Sequence, residues 1–164
     1  SQQYENCGGI EEYRRQVQEL VPLVDVVFMN YDHYDKDLGI DRHSFTPEMW
    51  EWYPNVKLAV TARRTIDPEN GDQQYKVYCW TRETWVYEAH EYKTSVVQRV
   101  GCGDAAFGGF MHAVLSDMKP IDALNFSGAA AVAQMTTLGD ALLETYSEVE
   151  RIFRTRGGAA DVDR

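Results

Sequence analysis

The sequence predicts an α/β fold, in which helices cover a sheet. Three observations support this prediction. An amphipathic helix leads into a short β-branched run, a second such run follows further along, and a glycine turn opens an apolar helix. The 164 residues, 44% of them hydrophobic, suit one domain. We expect this domain over residues 1–156 and a disordered tail over residues 157–164.

The first helix and strand form one unit of such a fold. Helical spacing over Ile10–Val21 places four apolar residues on one face, and Pro22 ends the helix. Val24–Asn30 is short and β-branched, which is typical of a buried parallel strand. Val56–Ala62 has the same character and predicts the next buried strand.

Arg63 and Arg64 follow this second strand. In open α/β sheets ligands bind beyond the carboxyl ends of the strands, and guanidinium groups there suit phosphate or carboxylate. The alternative is a pair of solvated surface arginines. Asp67–Asp72, with its Pro and Asn-Gly, is a turn signal. After it, Gln74–Trp80 and Thr84–Tyr92 alternate apolar and polar residues, so we expect an antiparallel hairpin extending the sheet.

The segment Thr94–Asp117 predicts a short strand, a glycine turn at Gly101-Cys102-Gly103 and a helix from Asp104 to Leu115. Its apolar residues recur at helical spacing: Phe107, Phe110, Met111, Val114 and Leu115. Backbone N–H groups at a glycine-rich helix N-terminus favour an anion. A carboxylate there could take the proton of an attacking hydroxyl, or it could merely stabilise the helix dipole.

Two further helices follow. Pro120 suits the first position of one of them, where Gly128 and Ala131 allow close approach, either of a neighbouring helix or of a flat ligand such as adenine. Thr136–Asp140 is predicted to be a loop. Ser147 with Glu150 resembles a capping box for a last helix running to about Arg154.

Composition narrows the classes of function. The net charge of −10 disfavours nucleic acid and anionic membranes as partners. No apolar run is long enough for a membrane span, and the N-terminus lacks the features of a signal peptide. The three cysteines form no CxxC pair, which favours a reducing, cytoplasmic location. The scattered histidines suggest no metal-ligand set.

The run Gln98–Asp104 resembles the second signature of the PfkB, or ribokinase-like, sugar kinases. It is most similar to 2-keto-3-deoxygluconate kinases, where Asp-Arg-Val-Gly-Gly-Gly-Asp is common. Thr61-Ala62-Arg63 resembles a Thr-Leu-Arg run of that family, and Leu138-Gly139-Asp140 resembles the end of its last conserved segment. The resemblance implies the C-terminal half of a ribokinase-like fold, a layered sheet with flanking helices and an antiparallel hairpin at its edge.

The resemblance also implies roles for individual residues. ATP and Mg²⁺ would be the cofactors, with Asp104 as the catalytic base and the amides of Gly101, Cys102 and Gly103 as an anion hole. Arg63 and Asp140 would bind the sugar acid. The nucleotide would contact Asn30, Thr61, Gly128 and Ala131. Asn30 could instead cap a helix, since His33 stands where the family has a magnesium-organising Glu.

We therefore expect an ATP-dependent carbohydrate kinase that phosphorylates a sugar or sugar acid, in particular 2-keto-3-deoxygluconate. The alternative is a non-catalytic nucleotide-binding or assembly relative that lacks the N-terminal sugar-binding half. Gln98 in place of the family's Asp is a further departure. The missing half predicts either a partner chain or a homo-oligomer. A Rossmann dehydrogenase is disfavoured, because the glycine loop lacks G-x-G-x-x-G spacing.

Overall fold

The computed structural model describes residues 6, 8–30, 50–51, 53–69, 71, 73–82, 87–139, 141 and 144–156. It has the predicted mixed α/β composition. The described helices are α1 (Ile10–Leu20), α2 (Cys102–Leu115), α3 (Pro120–Met135) and α4 (Tyr146–Thr155). The described strands are β1 (Val26–Asn30), β2 (Leu58–Ile66), β3 (Gln73–Thr81), β4 (Tyr87–Glu88) and β5 (Tyr92–Thr94).

The strands form one sheet in the order β1-β2-β3-β4, and β5 also pairs with β3. The chain divides into two compact units. One unit comprises Ser1–Thr61 with Cys79–Val86, and the other comprises Ala62–Tyr78 with Tyr87–Arg164. Strands β2 and β3 contribute residues to both units.

In the first unit, a side-chain amide fixes the connection between α1 and β1. Helix α1 runs into a 3-10 turn at Val21–Leu23, where Pro22 stands. The Asn55 amide donates to the carbonyls of Val21 (3.0 Å) and Val24 (2.5 Å), so it closes the end of this turn. None of the described residues of α1 is buried, although its apolar residues have helical spacing. Of β1, only Val27 is buried.

Strand β2 is longer than the sequence predicts. Arg63 and Arg64 were expected beyond its carboxyl end, but both lie inside it, because β2 continues to Ile66. Pairing with β3 explains the extension. Six residues separate the two strands, too few for a parallel crossover, so they form an antiparallel hairpin.

The predicted hairpin between β3 and the following segment is confirmed, with an interrupted return arm. Strand β5 pairs antiparallel with β3, with Gln73 opposite Thr94 and Tyr75 opposite Tyr92. Between β4 and β5, the Ala89 amide donates to the Val77 carbonyl at 2.8 Å. The strand expected before the glycine turn ends at Thr94, and residues 95–101 are irregular.

Helices α2 and α3 form the core of the second unit. The buried residues of α2 are mostly small: Ala105, Ala106, Gly109, Phe110 and Ala113. The apolar face predicted for α2 is therefore wrong for three of its members, since Phe107, Val114 and Leu115 are exposed. In α3, every residue from Phe126 to Met135 is buried.

Two glycines permit close approach in this core. A Cβ on Gly109 would lie 2.7 Å from the Cβ of Ala130, so α2 and α3 touch backbone to side chain at this point. A Cβ on Gly128 would lie 2.7 Å from the Tyr92 ring. The Tyr92 hydroxyl donates to the Asn125 carbonyl at 2.8 Å, which holds that ring against α3.

Helix α4 begins two residues earlier than predicted, because its capping box is Thr145 with Glu148. The Thr145 hydroxyl accepts from the Glu148 amide, and the Glu148 carboxylate accepts from the Thr145 amide at 3.0 Å. Thr145 and Glu148 therefore form the capping box that was expected at Ser147 and Glu150. The reason is local, because Ser147 already lies inside the first helical turn.

We expect Gly109→Ala to destabilise the protein by about 1–3 kcal/mol, because the added methyl overpacks against Ala130. Gly108→Ala is the matched control on the same helix. A Cβ there meets nothing within 4 Å, so better helix propensity should leave stability unchanged or raise it by up to about 1 kcal/mol. Urea unfolding of both variants measures the difference. Equal midpoints would contradict the close packing of α2 on α3.

Candidate functional site

The N-terminus of α2 is open and rich in glycine. Gly101 has φ 82°, a left-handed conformation that favours glycine, and it turns the chain into the helix. Among the described residues, no side chain caps this end. A Cβ on Gly103 would meet nothing within 4 Å, and Asp104 is exposed in the first turn. Space for a ligand therefore lies over Gly103, beside the Asp104 carboxylate.

The backbone N–H groups at the N-terminus of α2 differ in whether they have a hydrogen-bond acceptor. The Cys102 N–H donates to the Arg99 carbonyl at 3.2 Å, and the Gly103 amide lies against the Cys102 sulfur. The amides of Gly101 and Asp104 donate to no described residue. A helix leaves its first N–H groups without an intrahelical partner, so these two amides can donate to an anion.

The electrostatics of Cys102 show which charges surround the loop. Burial raises the pKa of its thiol, whereas the positive charges of Arg64 and Arg99 lower that pKa and the Asp104 carboxylate raises it. Burial also raises the pKa of the Tyr75 hydroxyl, and Cys102 adds to the rise. Two guanidinium groups and one carboxylate therefore act on the glycine loop.

A set of hydrogen bonds fastens the segment before the glycines to the end of α3. The amides of Val97 and Gln98 both donate to the Met135 carbonyl, at 2.9 and 3.2 Å. The Gln134 side chain donates to the carbonyl of Val100, at 3.1 Å, and to that of Gly139, at 2.8 Å. The Gly139 amide donates to Gln98 Oε1 at 3.0 Å.

We call Gln98 and Gln134 the glutamine clamp, because together they hold both the N–H and the C=O of Gly139. Gln134 is fully buried, and both neighbours of its Nε2 are acceptors, so the orientation of its amide is fixed. Its Oε1 has no partner among the described residues. Gly139 has φ 110°, which favours glycine there.

A pocket of about 500 Å³ opens beside Asp104, within the second unit. Gly101 and Asp104 line one end. His112, Phe126 and Tyr146 line it too, with ring centroids 5.4–5.8 Å apart. Glu144 and Val149 also line the pocket, and the remaining lining residues are small: Ala105, Gly108, Gly109, Ala130 and Ala141. The pocket thus combines a carboxylate at the helix N-terminus with aromatic and small apolar surfaces.

The other predicted site residues fall in several places. Thr61 is fully buried in β2, and its hydroxyl has no hydrogen-bond partner among the described residues. Asn30 is the exposed last residue of β1, in the first unit. Arg63 is exposed in β2. Asp140 and residues 31–49, with His33 among them, lie outside the described residues.

Gly128 and Ala131 are both buried in α3, with Gly128 under the Tyr92 ring. Of the two uses that the sequence leaves open, the structure shows close packing for Gly128, and contact of these residues with adenine stays a prediction.

Sequence reasoning missed three residues near the loop. Arg64 was treated as equivalent to Arg63, Arg99 was read only as part of a motif, and Gln134 was not considered. If the predicted strand had included residues 63–66, the alternation of side chains along it would have placed Arg63 and Arg64 on opposite faces. Nothing in the local sequence marks Gln134, because its partners lie in two distant loops.

The structure also bears on two other classes of site. Among the described residues, no three His, Cys, Asp or Glu side chains come together as a metal-binding group. None of the described helices has the length and hydropathy needed to cross a bilayer. Cys79 and Cys102 are free thiols, and burial raises the pKa of Cys79 to about 12.

Comparison with known proteins defines the class. No protein-family model matches the chain. A PfkB family carbohydrate kinase from Listeria grayi is 25% identical with a TM-score of 0.76, over 88% of this chain and 46% of that one. A ribokinase II from E. coli in complex with ATP and Mg²⁺ is 17% identical with a TM-score of 0.62, over 90% and 44%. The predicted resemblance is confirmed: the chain has the fold of PfkB, ribokinase-like carbohydrate kinases.

Two relatives have names that specify a substrate. A 2-dehydro-3-deoxygalactonokinase from Haloferax volcanii is 37% identical over 79 residues, which are 48% of this chain and 24% of that protein. The 2-dehydro-3-deoxygluconokinase of Thermotoga maritima is 22% identical with a TM-score of 0.77, over 88% of this chain and 46% of that one. The chain therefore spans about a quarter of the curated relative and less than half of each structure.

We expect Gln98→Met to speed hydrogen exchange of the Gly139 amide, because this amide loses its acceptor. The loss in stability should be about 0.5–1.5 kcal/mol. Gln98→Glu is the matched control, since it keeps an oxygen in the same place. Exchange followed by NMR, with urea unfolding alongside, compares the two. If both variants exchange Gly139 at the wild-type rate, the clamp does not hold this loop.

Proposed function

We propose that this chain is the phosphoryl-transfer part of an ATP-dependent carbohydrate kinase. The proposed reaction transfers the γ-phosphoryl group of ATP to a hydroxyl of a sugar or sugar acid, with a 2-keto-3-deoxy sugar acid as the first candidate. The observation that supports it most is the glycine turn that opens α2 and exposes Asp104 beside free amides. The names of the relatives support the substrate class.

In this proposal Asp104 is the catalytic base. Its carboxylate is exposed in the first turn of α2 and lines the pocket, so an acceptor hydroxyl can reach it. Asp104 would take the proton of that hydroxyl as the hydroxyl oxygen bonds to the γ-phosphorus, while the bond from that phosphorus to the oxygen of the β-phosphate breaks and ADP leaves. The amides of Gly101 and Asp104 donate to oxygens of the transferring group. One such donor can be worth roughly 3–4 kcal/mol in the transition state.

The residues at this end fit a nucleotide's phosphates. The helix N-terminus is uncapped among the described residues, Gly103 leaves open space, and positive charge reaches the loop. Bound ATP would supply the phosphoryl group. Magnesium commonly binds through phosphate oxygens with only one or two carboxylates, so the lack of a three-ligand group among the described residues does not conflict with Mg²⁺.

The residues that we propose for binding the sugar acid are the two for which the family resemblance implies this role. Arg63 offers an exposed guanidinium for its carboxylate, and Asp140, which follows the clamped Gly139, is a candidate for its hydroxyls. The sugar contacts that these two residues cannot supply would come from a partner chain or from more of the same polypeptide. A cytoplasmic location suits ATP chemistry and stays a prediction.

We expect Mg·ADP to bind the chain and raise its melting temperature, because ligand binding to the native state stabilises it. Adenosine is the control, since it lacks phosphates and should bind much more weakly at a site built for an anion. Calorimetry and thermal melts measure both. No heat and no shift with ADP well above millimolar concentration would refute nucleotide binding at this site.

Asp104→Asn should separate chemistry from folding. We expect phosphoryl transfer to fall about 10²–10⁴-fold, the usual worth of a positioned base, while ADP affinity and the melting temperature change little. Asp122→Asn, at the first turn of α3, removes the same charge from a helix start away from the loop.

The assay measures ADP release with 2-keto-3-deoxygluconate, in a preparation in which the rest of the kinase fold is supplied by a co-expressed or fused chain. An Asp104→Asn protein that turns over near the wild-type rate would exclude the base assignment. A wild type that binds ADP but phosphorylates no sugar acid would favour the non-catalytic relative.

A further inference from the structure

We propose that Arg64 and Arg99 bind the phosphate groups of the nucleotide at the glycine loop, an inference that rests on the proposed function. Arg63 is then available for the carboxylate of the sugar acid, to which it is assigned above. The position after the predicted strand offers Arg63 and Arg64 as a pair, the family resemblance gives a role to Arg63 alone, and the sequence gives Arg99 no role. The structure separates all three by their places on β2 and at the loop.

Arg63 and Arg64 leave β2 on opposite faces, because side chains alternate along a strand. Arg64 Nη1 donates to Gln73 Oε1 at 2.7 Å, which places Arg64 on the Gln73 face. Thr65, which shares a face with Arg63, bonds to Gln74 at 2.9 Å on the other face. The two arginine side chains therefore start from opposite faces of the sheet, and we assign them to different groups of the ligands.

The Gln73 face is the one that meets the glycine loop. Tyr75 shares this face, being two residues further along β3, and its hydroxyl is close enough to Cys102 to be affected by that thiol. Thr94 is paired with Gln73, lies on the same side, and ends the strand that leads to the loop. Arg64 therefore lies on the face of the sheet that is nearer to Cys102. Its positive charge lowers the pKa of the Cys102 thiol.

Arg99 approaches the same place along the chain. Its carbonyl accepts the Cys102 amide at 3.2 Å, so it lies one short turn before the helix, and its charge also acts on the Cys102 sulfur. Arg64 is half-buried, and its hydrogen bond is to a neutral amide. Within the described ranges neither arginine forms a salt bridge.

Two guanidinium groups and one carboxylate, that of Asp104, therefore act on an uncapped helix N-terminus, although the net charge of the chain is −10. Each positive charge adds to the positive end of the helix dipole, and guanidinium groups can bind phosphate through paired N–H donors. Arg64 extends from the sheet and Arg99 belongs to the segment that leads into the helix, and the charges of both act on Cys102. This arrangement suits a ligand with more than one phosphate group.

The first measurement tests where the two charges lie. Alkylation of Cys102 by iodoacetamide is followed against pH by peptide mass spectrometry in the wild type, Arg64→Gln, Arg99→Gln and Lys93→Gln. Lys93 is the matched control, because it removes the same charge from the Gln74 face. We expect both arginine variants to shift the reaction to higher pH and to slow it several-fold at a fixed pH, with the Lys93 variant unchanged.

The second measurement tests the ligand, with ADP, pyrophosphate and adenosine titrated into the same proteins by calorimetry. Loss of Arg64 or Arg99 should weaken ADP and pyrophosphate about tenfold and leave adenosine unchanged. Lys93→Gln should stay within about twofold. Arg64→Lys should recover part of the affinity, which a merely structural arginine would not explain. Melting curves identify any variant that is unfolded.

The outcomes separate this inference from the proposed function. ADP binding that is equal in the wild type and both arginine variants overturns the inference and leaves the nucleotide site in place. Pyrophosphate binding that depends on the arginines without any ADP binding supports the anion site and removes the nucleotide. No binding of either phosphate ligand by the wild type overturns both. An unchanged Cys102 profile in Arg64→Gln contradicts the placement of Arg64.

Discussion

The glutamine clamp is the constraint on which the candidate site depends. Helix α3 ends at Met135, and the Met135 carbonyl together with the Gln134 amide holds the chain on both sides of it, residues 97–100 and Gly139. Without these bonds, the irregular segment 95–101 would have little to fix it, since β5 stops at Thr94. The hydrogen bonds to the end of α3, and not the preceding strand, therefore fix the position of the glycine turn and of Asp104.

Close packing of α2 on α3 makes this arrangement rigid. The contact between Gly109 and Ala130 brings the helices together, and the Ser127 hydroxyl adds a buried hydrogen bond to the Ala106 carbonyl at 2.8 Å. Large side chains would hold the axes apart, whereas small ones let the backbones approach. The first turn of α2 can therefore offer free amides and an exposed carboxylate, while its later turns form the core.

Comparison with the solved kinases assigns the fold to which this geometry belongs. The chain shares its fold with less than half of each structure, and the features supporting phosphate chemistry all lie in the second unit. Arg64 and Arg99 place positive charge beside Asp104 at the N-terminus of α2, although the chain as a whole is acidic. The charge at this loop therefore cannot be read from the overall net charge.

The sequence by itself determined the α/β class, the helices, the glycine turn with Asp104 and the resemblance to PfkB kinases. Each of these follows from local periodicity or from a contiguous motif. The tertiary structure alone decided the length of β2, the exposure of Phe107 and Leu115, the use of Gly128 for packing and the separation of Arg63 from Arg64. The physical reason is that apolar spacing predicts a helix but not which of its faces a neighbour will cover. Likewise, a strand continues as far as its partner supplies hydrogen bonds, and its partner is chosen by the whole fold.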